Sequence, residues 1–213
     1  MPTDQTYKMK SKHNGLVLRV SKGHFATSHS HINYYIDVTM SKSRLSEASA
    51  VAKELVSYYN VNTIVDTILC LDGTEVIGTC LARELTDGHY LNMNAHQTIY
   101  VVTPEHTSGS QIIFRDNTVP MIKGKHVLIL AASVTTGYTA QAAVEAVNYY
   151  SGYPVGICAI FATTKTCAGH TVHAAFDLKD LIDYQSAPSH DCPLCKQGIK
   201  LDALINGFGY SKL

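Results

Sequence analysis

The chain of 213 residues has no tryptophan and no net charge, and only 16% of its residues are charged. Its 17 Lys and Arg balance its 17 Asp and Glu, which leaves no broad electrostatic footprint for DNA, RNA or an anionic membrane. Nucleic-acid binding would require the lysines to segregate onto one face, and no basic stripe is present. The opening stretch MPTDQTYKMK has no apolar core region, which predicts no secretory signal and a cytoplasmic location. The uncharged run over 127–144 is broken by Thr-Thr-Gly, and that over 146–164 by Ser-Gly-Tyr-Pro, so neither reads as a membrane span. Without a signal, the six cysteines are expected to be reduced thiols or metal ligands rather than a disulfide scaffold. No internal repeat or low-complexity tract is visible.

A hydrophobic content of 46% is enough for a packed core, and the length suits one α/β domain with at most a small appendage. The first dozen residues, with Lys8, Lys10 and Lys12, are expected to fray. Residues 16–38 have a strand-like pattern rich in His and Tyr. Residues 45–59 read as an amphipathic helix with Leu45, Ala48, Ala52, Leu55 and Tyr59 on one face and Ser43 as its cap. An apolar strand over 62–71 ends at Asp72-Gly73, and a helix follows over 76–85. A short strand is expected over 98–102 and a hairpin over 110–120, with Asp116-Asn117 at its turn. Buried strands over 126–132 and 155–163 flank a helix over 139–150, capped by Thr139 and ended by Gly152. Tyr149-Tyr150 reads as core packing, and Cys70, Cys80 and Cys158 as buried small hydrophobes. Asp66 inside an apolar run demands a hydrogen-bond partner or a local exit from the core. Apolar strands alternating with helices predict an α/β fold with a mostly parallel sheet covered on both faces. The chain is expected to divide into an N-terminal segment (1–40), an α/β core (41–176) and a polar, Cys-containing extension (177–213).

The sharpest local feature is a strand, then Ser133-Val134-Thr135-Thr136-Gly137-Tyr138-Thr139, then a helix. A helix start offers backbone N–H donors and a positive dipole end, Gly137 permits close approach, and threonine hydroxyls donate without carrying charge. The bland alternative is a strand–helix turn with ordinary capping threonines.

The stretch KGKHVLILAASVTTGYTAQAA resembles the signature of type I phosphoribosyltransferases, and the chain is most similar to the orotate phosphoribosyltransferases. SHSHINYYIDVT resembles their N-terminal segment, and VDTILCLDGTEVIGTCLA their strand and pyrophosphate loop. The resemblance implies a phosphoribosyltransferase-like, Rossmann-like core with a small N-terminal hood. It implies that Thr135, Thr136, Gly137, Tyr138 and Thr139 hold a 5′-phosphate. Asp72, Gly73 and Thr74 would then sit at the pyrophosphate loop, and His31, Tyr34 and Tyr35 at the base-binding hood. The implied reaction moves ribose 5-phosphate from phosphoribosyl pyrophosphate to a nucleobase of orotate type, with Mg²⁺ on the pyrophosphate. A homodimer is implied as well.

Two departures from the family pattern are plain. The acidic pair before the phosphate loop is replaced by Ala131 and Ala132. Losing two charge-assisted contacts to the ribose would cost about 1.5–3 kcal/mol each. The stretch over 101–109 stands where the family has a basic flexible loop, and only His106 and Gly109 match it. Between Lys53 and Arg115 the single fixed cation is Arg83, a poor supply for a departing pyrophosphate. Three readings stay open: a phosphoribosyltransferase with substitute groups; a sensor or regulator that binds a sugar phosphate or nucleoside monophosphate without turnover; and metal chemistry by His and Cys.

In the extension, Cys192-Pro193-Leu194-Cys195 forms a tight turn whose two sulfurs suit a tetrahedral Zn²⁺. Two further ligands must come from elsewhere, the candidates being His190, Cys167, His170 and His173. A redox dithiol and two unlinked thiols are the alternatives. His24, His29 and His31 form a second cluster, in which alternation would place His29 and His31 on one strand face, toward an anion or a metal.

Overall fold

The computed structural model describes residues 6–11, 15–87, 92–95, 97–108, 111–207 and 209–213. Lys12, Gly109 and Ser110 lie outside the described residues. Along the chain the strands are β1 (Thr6–Lys10), β2 (Val17–Ala26), β3 (His31–Asp37), β4 (Thr67–Cys70), β5 (Tyr100–Val102), β6 (Glu105–His106), β7 (Ile112–Ile113), β8 (His126–Val134), β9 (Tyr153–Ala162), β10 (Thr166–Cys167), β11 (His170–Phe176), β12 (Ser186–Ala187), β13 (Ala203–Asn206) and β14 (Gly209–Lys212). The helices are α1 (Thr39–Ser43), α2 (Leu45–Val56), α3 (Glu75–Thr86), α4 (Tyr138–Tyr149) and α5 (Pro193–Lys196). The chain forms two compact units: Met1–Met40 with Phe176–Leu213, and Ser41–Ala175. Among the described residues, no helix is long and apolar enough to cross a membrane.

The second unit, Ser41–Ala175, is an α/β layer structure. Its sheet has the order β10-β11-β9-β8-β4-β5. The four strands β5, β4, β8 and β9 run parallel, and the β10–β11 hairpin lies antiparallel at the edge. All four residues of β4 are buried, as are Val127 through Ala132 of β8, which is the pattern of strands covered on both faces. Helix α2 buries Ala48, Val51, Ala52 and Leu55, and α3 buries Ile77, Gly78, Leu81 and Leu85. Gly78 lets α3 come close to the sheet, since a Cβ there would collide with the Cys70 sulfur. Helix α4 buries Ala140, Ala143, Val144, Ala146 and Val147. Asp66 stands just before β4, and its carboxylate accepts 2.8 Å bonds from both the backbone N–H and Nδ1 of His126. The partner this acid needed is therefore the first residue of the neighbouring strand.

Several local expectations are corrected. Ser43 ends α1 instead of capping α2, whose N-cap is Arg44, and Leu45 is 67% exposed. The inner face of α2 passes through Val51 instead. Thr139 lies within the first turn of α4, which begins after Gly137. Tyr149 is 82% exposed, whereas Tyr150 packs edge-on against Phe114 at 5.1 Å. Cys70 and Cys158 are buried, but Cys80 is half-buried with its sulfur 3.4 Å from Ser49 Oγ. The hairpin is made by β6 and β7, and Asp116-Asn117 leads into a 3-10 turn over Val119–Met121. Residues 62–66 precede the strand because β4 starts at Thr67.

The first unit is a mostly antiparallel sheet of order β12-β3-β2-β13-β14, with β1 also paired to β2. Residues Thr6–Lys10 are thus laddered onto β2 instead of fraying. Strand β13 joins β2 in parallel, with Ala203 opposite Phe25. Phe25, Ile32 and Ala203 form a small core, packed by Tyr35, Tyr184 and Ile205. The Asn33 side chain donates to Asp183 O at 2.6 Å and accepts from Gln185 N–H at 2.7 Å. It thereby stitches the later chain to β3.

Candidate functional site

At the C-terminal end of β8 the chain passes through Thr135 and Thr136 to Gly137, which has φ +82°. That left-handed conformation is glycine's own, and no side chain caps the helix there. The first turn of α4 therefore opens beside the sheet end, where open α/β folds bind ligands. Thr163 Oγ donates to Thr135 O at 2.9 Å, which fixes the loop to the end of β9. A Cβ on Gly137 would stand 3.1 Å from Cys167 Sγ, which donates to Gly137 O at 3.5 Å.

At the end of the neighbouring strand β4, Asp72 and Gly73 both have positive φ, +56° and +76°. Two successive left-handed residues turn the chain sharply into α3. The Thr74 hydroxyl is fully buried, donating to Leu71 O at 2.8 Å and Leu130 O at 3.1 Å, so it braces β4 against β8 and is not offered to a ligand. The Asp72 carboxylate accepts from the Ala132 N–H. Burial pushes the Asp72 carboxyl above the usual carboxylate range, against the opposing pull of that bond, Lys42 and His106. The Lys42 ammonium donates to Asp72 O at 2.7 Å and lies 3.7 Å from where a Gly73 Cβ would be. A carboxylate thus stands beside Ala131 and Ala132, and a fixed cation beside the turn. Sequence reasoning named Asp72 at the pyrophosphate loop without pairing it with Ala132, and missed Lys42 because it sought cations only between Lys53 and Arg115.

No family model and no curated protein matches the chain. Among solved structures, the orotate phosphoribosyltransferase of Mycobacterium tuberculosis in complex with Fe(III) dicitrate is similar, with TM-score 0.51 and 19% identity over 77% of this chain and 92% of that one. The UMP synthase of Leishmania donovani is similar with TM-score 0.54 and 20% identity, over 76% of this chain and 34% of that one. The chain has the phosphoribosyltransferase fold. Identity this low carries the fold and leaves the chemistry to the side chains.

Within this phosphoribosyltransferase fold the residues expected at the hood have other engagements. Tyr35 packs against Phe25 at 6.1 Å and Tyr210 at 5.1 Å, and burial raises its pKa to about 12. The Lys22 ammonium sits 5.7 Å over the Tyr34 ring. His31 Nδ1 faces Cys195 Sγ at 3.3 Å and His24 Nε2 at 3.2 Å. His24 Nε2 is in turn 3.4 Å from Cys192 Sγ and 3.7 Å from Cys195 Sγ. One donor atom from each of these four residues lies within 4.8 Å of the other three.

The partners of the Cys-x-x-Cys turn are therefore His24 and His31, not His190, Cys167, His170 or His173. His190 is exposed in the 3-10 turn Ser189–Asp191. Cys167 and His170 are cross-strand partners in the second unit, and Cys167 reaches Gly137 O in the loop before α4. His173 stacks on Tyr58 at 4.2 Å and meets Tyr59 edge-on. His29 falls in the turn before β3, so it does not share a strand face with His31. Thr27 builds that turn, accepting from Ser30 N–H at 2.8 Å. The polar run Thr27–Ser30 was the sequence cue that His24 and His31 belong to two strands of one hairpin.

Proposed function

We propose that the chain is a type I phosphoribosyltransferase of orotate kind, cytoplasmic and homodimeric, transferring ribose 5-phosphate from phosphoribosyl pyrophosphate to a nucleobase. One observation carries the reading. The Thr135–Thr139 loop and the Asp72-Gly73 turn end adjacent parallel strands, and Lys42 stands at the latter. The loop and the first turn of α4 receive the 5′-phosphate through N–H groups and the hydroxyls of Thr135, Thr136 and Thr139. The left-handed Asp72-Gly73 turn and the Lys42 ammonium receive the pyrophosphate. As the base nitrogen bonds to the anomeric carbon, the bond from that carbon to pyrophosphate breaks, and Lys42 offsets the charge that develops on the leaving oxygen. Asp72 is the half-buried carboxylate suited to a hard, oxygen-seeking cation, and Mg²⁺ held there would neutralise the pyrophosphate. Asp72 also faces the growing positive charge of the ribosyl group in place of the acids absent at Ala131 and Ala132.

The buried alanine pair favours a second reading, a sensor that binds a sugar phosphate or nucleoside monophosphate without turnover. Calorimetric titration with phosphoribosyl pyrophosphate, with and without Mg²⁺, separates the two when paired with a pyrophosphate-release assay on orotate and other bases. The transferase predicts Mg-dependent binding and release. The sensor predicts binding alone. Thr136→Val should abolish binding of any 5′-phosphate ligand, and unchanged affinity in that variant would sink both readings. Light scattering on the full chain tests the homodimer.

A further inference from the structure

The cluster in the first unit takes no part in the reaction proposed above and stands independently of it. We propose that His24, His31, Cys192 and Cys195 form a tetrahedral zinc site that ties the C-terminal part of the chain to the β2–β3 hairpin.

The spacing of the donors is that of a coordination tetrahedron. Nitrogens at about 2.0–2.1 Å and sulfurs at about 2.3 Å from one tetrahedral centre stand about 3.3 Å apart for an N–N edge and about 3.6 Å for an N–S edge. The observed N–N separation is 3.2 Å, three of the four N–S separations are 3.3, 3.4 and 3.7 Å, and all the donor atoms lie within 4.8 Å of one another. Both cysteines are free thiols, so neither sulfur is committed to a disulfide.

The ligands are held for this purpose. The other ring nitrogen of His24, Nδ1, lies 2.8 Å from Ile199 O. Only a protonated Nδ1 bonds a carbonyl, so that contact selects the tautomer whose Nε2 lone pair points at the sulfurs. It is the outer-shell bond that zinc-binding histidines characteristically make. The His24 backbone is gripped as well. Its N–H donates to the Asp202 carboxylate at 2.8 Å, and Asp202 N–H donates to His24 O at 2.8 Å. A bulge between Lys22 and Phe25 sets Gly23 and His24 together opposite Asn33. Ala26 pairs with His31, so His24, two residues earlier, lies on the same face as His31. On the other side, Pro193 starts α5 directly after Cys192, and Lys196 N–H donates to Cys192 O at 3.1 Å. That tight turn sets the two sulfurs on one side.

Two imidazole and two thiolate donors are the borderline-soft set that zinc prefers, and four protein ligands leave no position for substrate. The site is structural for that reason. His24 is 1% exposed and Cys192 3%, while Cys195 is exposed and gives the ion its way in.

Elemental analysis of the full chain, prepared without a metal-binding tag, should find about one zinc per chain. Cys195→Ser should lower zinc affinity at least about tenfold. The Co²⁺-loaded protein should show tetrahedral d–d absorption with a thiolate-to-cobalt band that Cys195→Ser, which leaves one thiolate, weakens by about half. Should the variant fail to fold, the wild-type chain decides: a strong chelator should lower its thermal midpoint, and added zinc should restore it. Failure to retain zinc after loading and dialysis would overturn the proposal, as would preferential binding of iron. Neither readout depends on phosphoribosyl pyrophosphate, so this site and the transferase reading stand or fall separately.

Discussion

The two units build their candidate sites in opposite ways. In the second, each element proposed to bind an anion is a short stretch in which a strand ends, the backbone turns left-handed and a helix begins: Asp72-Gly73 before α3, and Gly137 before α4. Parallel pairing of β4 and β8 then sets the two turns side by side. In the first unit, the contact between His24 and Cys192 spans 168 residues of sequence. Nothing local brings those groups together. A site made by backbone at strand ends inherits its position from the sheet, whereas a site made by distant side chains needs a bond of its own to hold it.

The largest test of that contrast is Cys192→Ser. Losing a metal ligand should destabilise the first unit by about 4 kcal/mol or more. Hydrogen exchange should then report lost protection in β2, β3 and β13, with β4 and β8 unchanged; equal loss in both units would break the comparison. Next comes Asp72→Asn, which keeps the shape of the turn and removes its charge. Turnover should fall about 10²–10³-fold, the usual effect of deleting one electrostatic stabiliser. Because burial raises the Asp72 carboxyl in the metal-free chain, protons should compete with Mg²⁺ there from above the ordinary carboxylate range, and the variant should lose that pH dependence of Mg²⁺ binding.

The smallest effect is expected of Asp66→Asn. Burial would raise this carboxyl, but the two bonds from His126 prevail and hold it below the usual carboxylate range. A depressed carboxyl contributes stability above its unfolded pKa, and the contribution is lost as the pH falls through the folded value. The loss in the variant should be about 0.5–1 kcal/mol after solvent screening, present at neutral pH and absent in strong acid. Denaturant midpoints at the two pH values check it, and a pH-independent deficit would exclude the ionic origin.

What was legible in the sequence follows the same divide. The buried parallel strands and the Thr-Thr-Gly turn announce themselves through continuous apolar runs and one glycine, because their causes are neighbours in the chain. Lys42 at the Asp72 turn was not legible, since α1 is far from β4 in sequence and only the fold brings it there. Thr74 looked like a ligand residue until its hydroxyl proved to be spent on two backbone carbonyls. His24 and His31 were readable as histidines but not as partners of Cys192 and Cys195, for pairing across a sheet leaves no local mark. Helix caps erred for a related reason: Ser43 and Thr139 are good capping residues, yet Arg44 and Gly137 hold those positions because of where α1 and β8 end.

The parallel pairing of β13 with β2 also orders events during synthesis. Strands β2 and β3 are made before the whole of the second unit, and the part of the β2 edge that β13 completes stays open until after it. The second unit, whose sheet is drawn from the continuous stretch 67–176, has no such wait. With β1 covering only Val17–Ser21, the newborn hairpin carries an unpaired Phe25–Ala26 edge and two histidines until the 203–206 strand is made, the interval in which a chaperone or a second nascent chain has its best opportunity to bind.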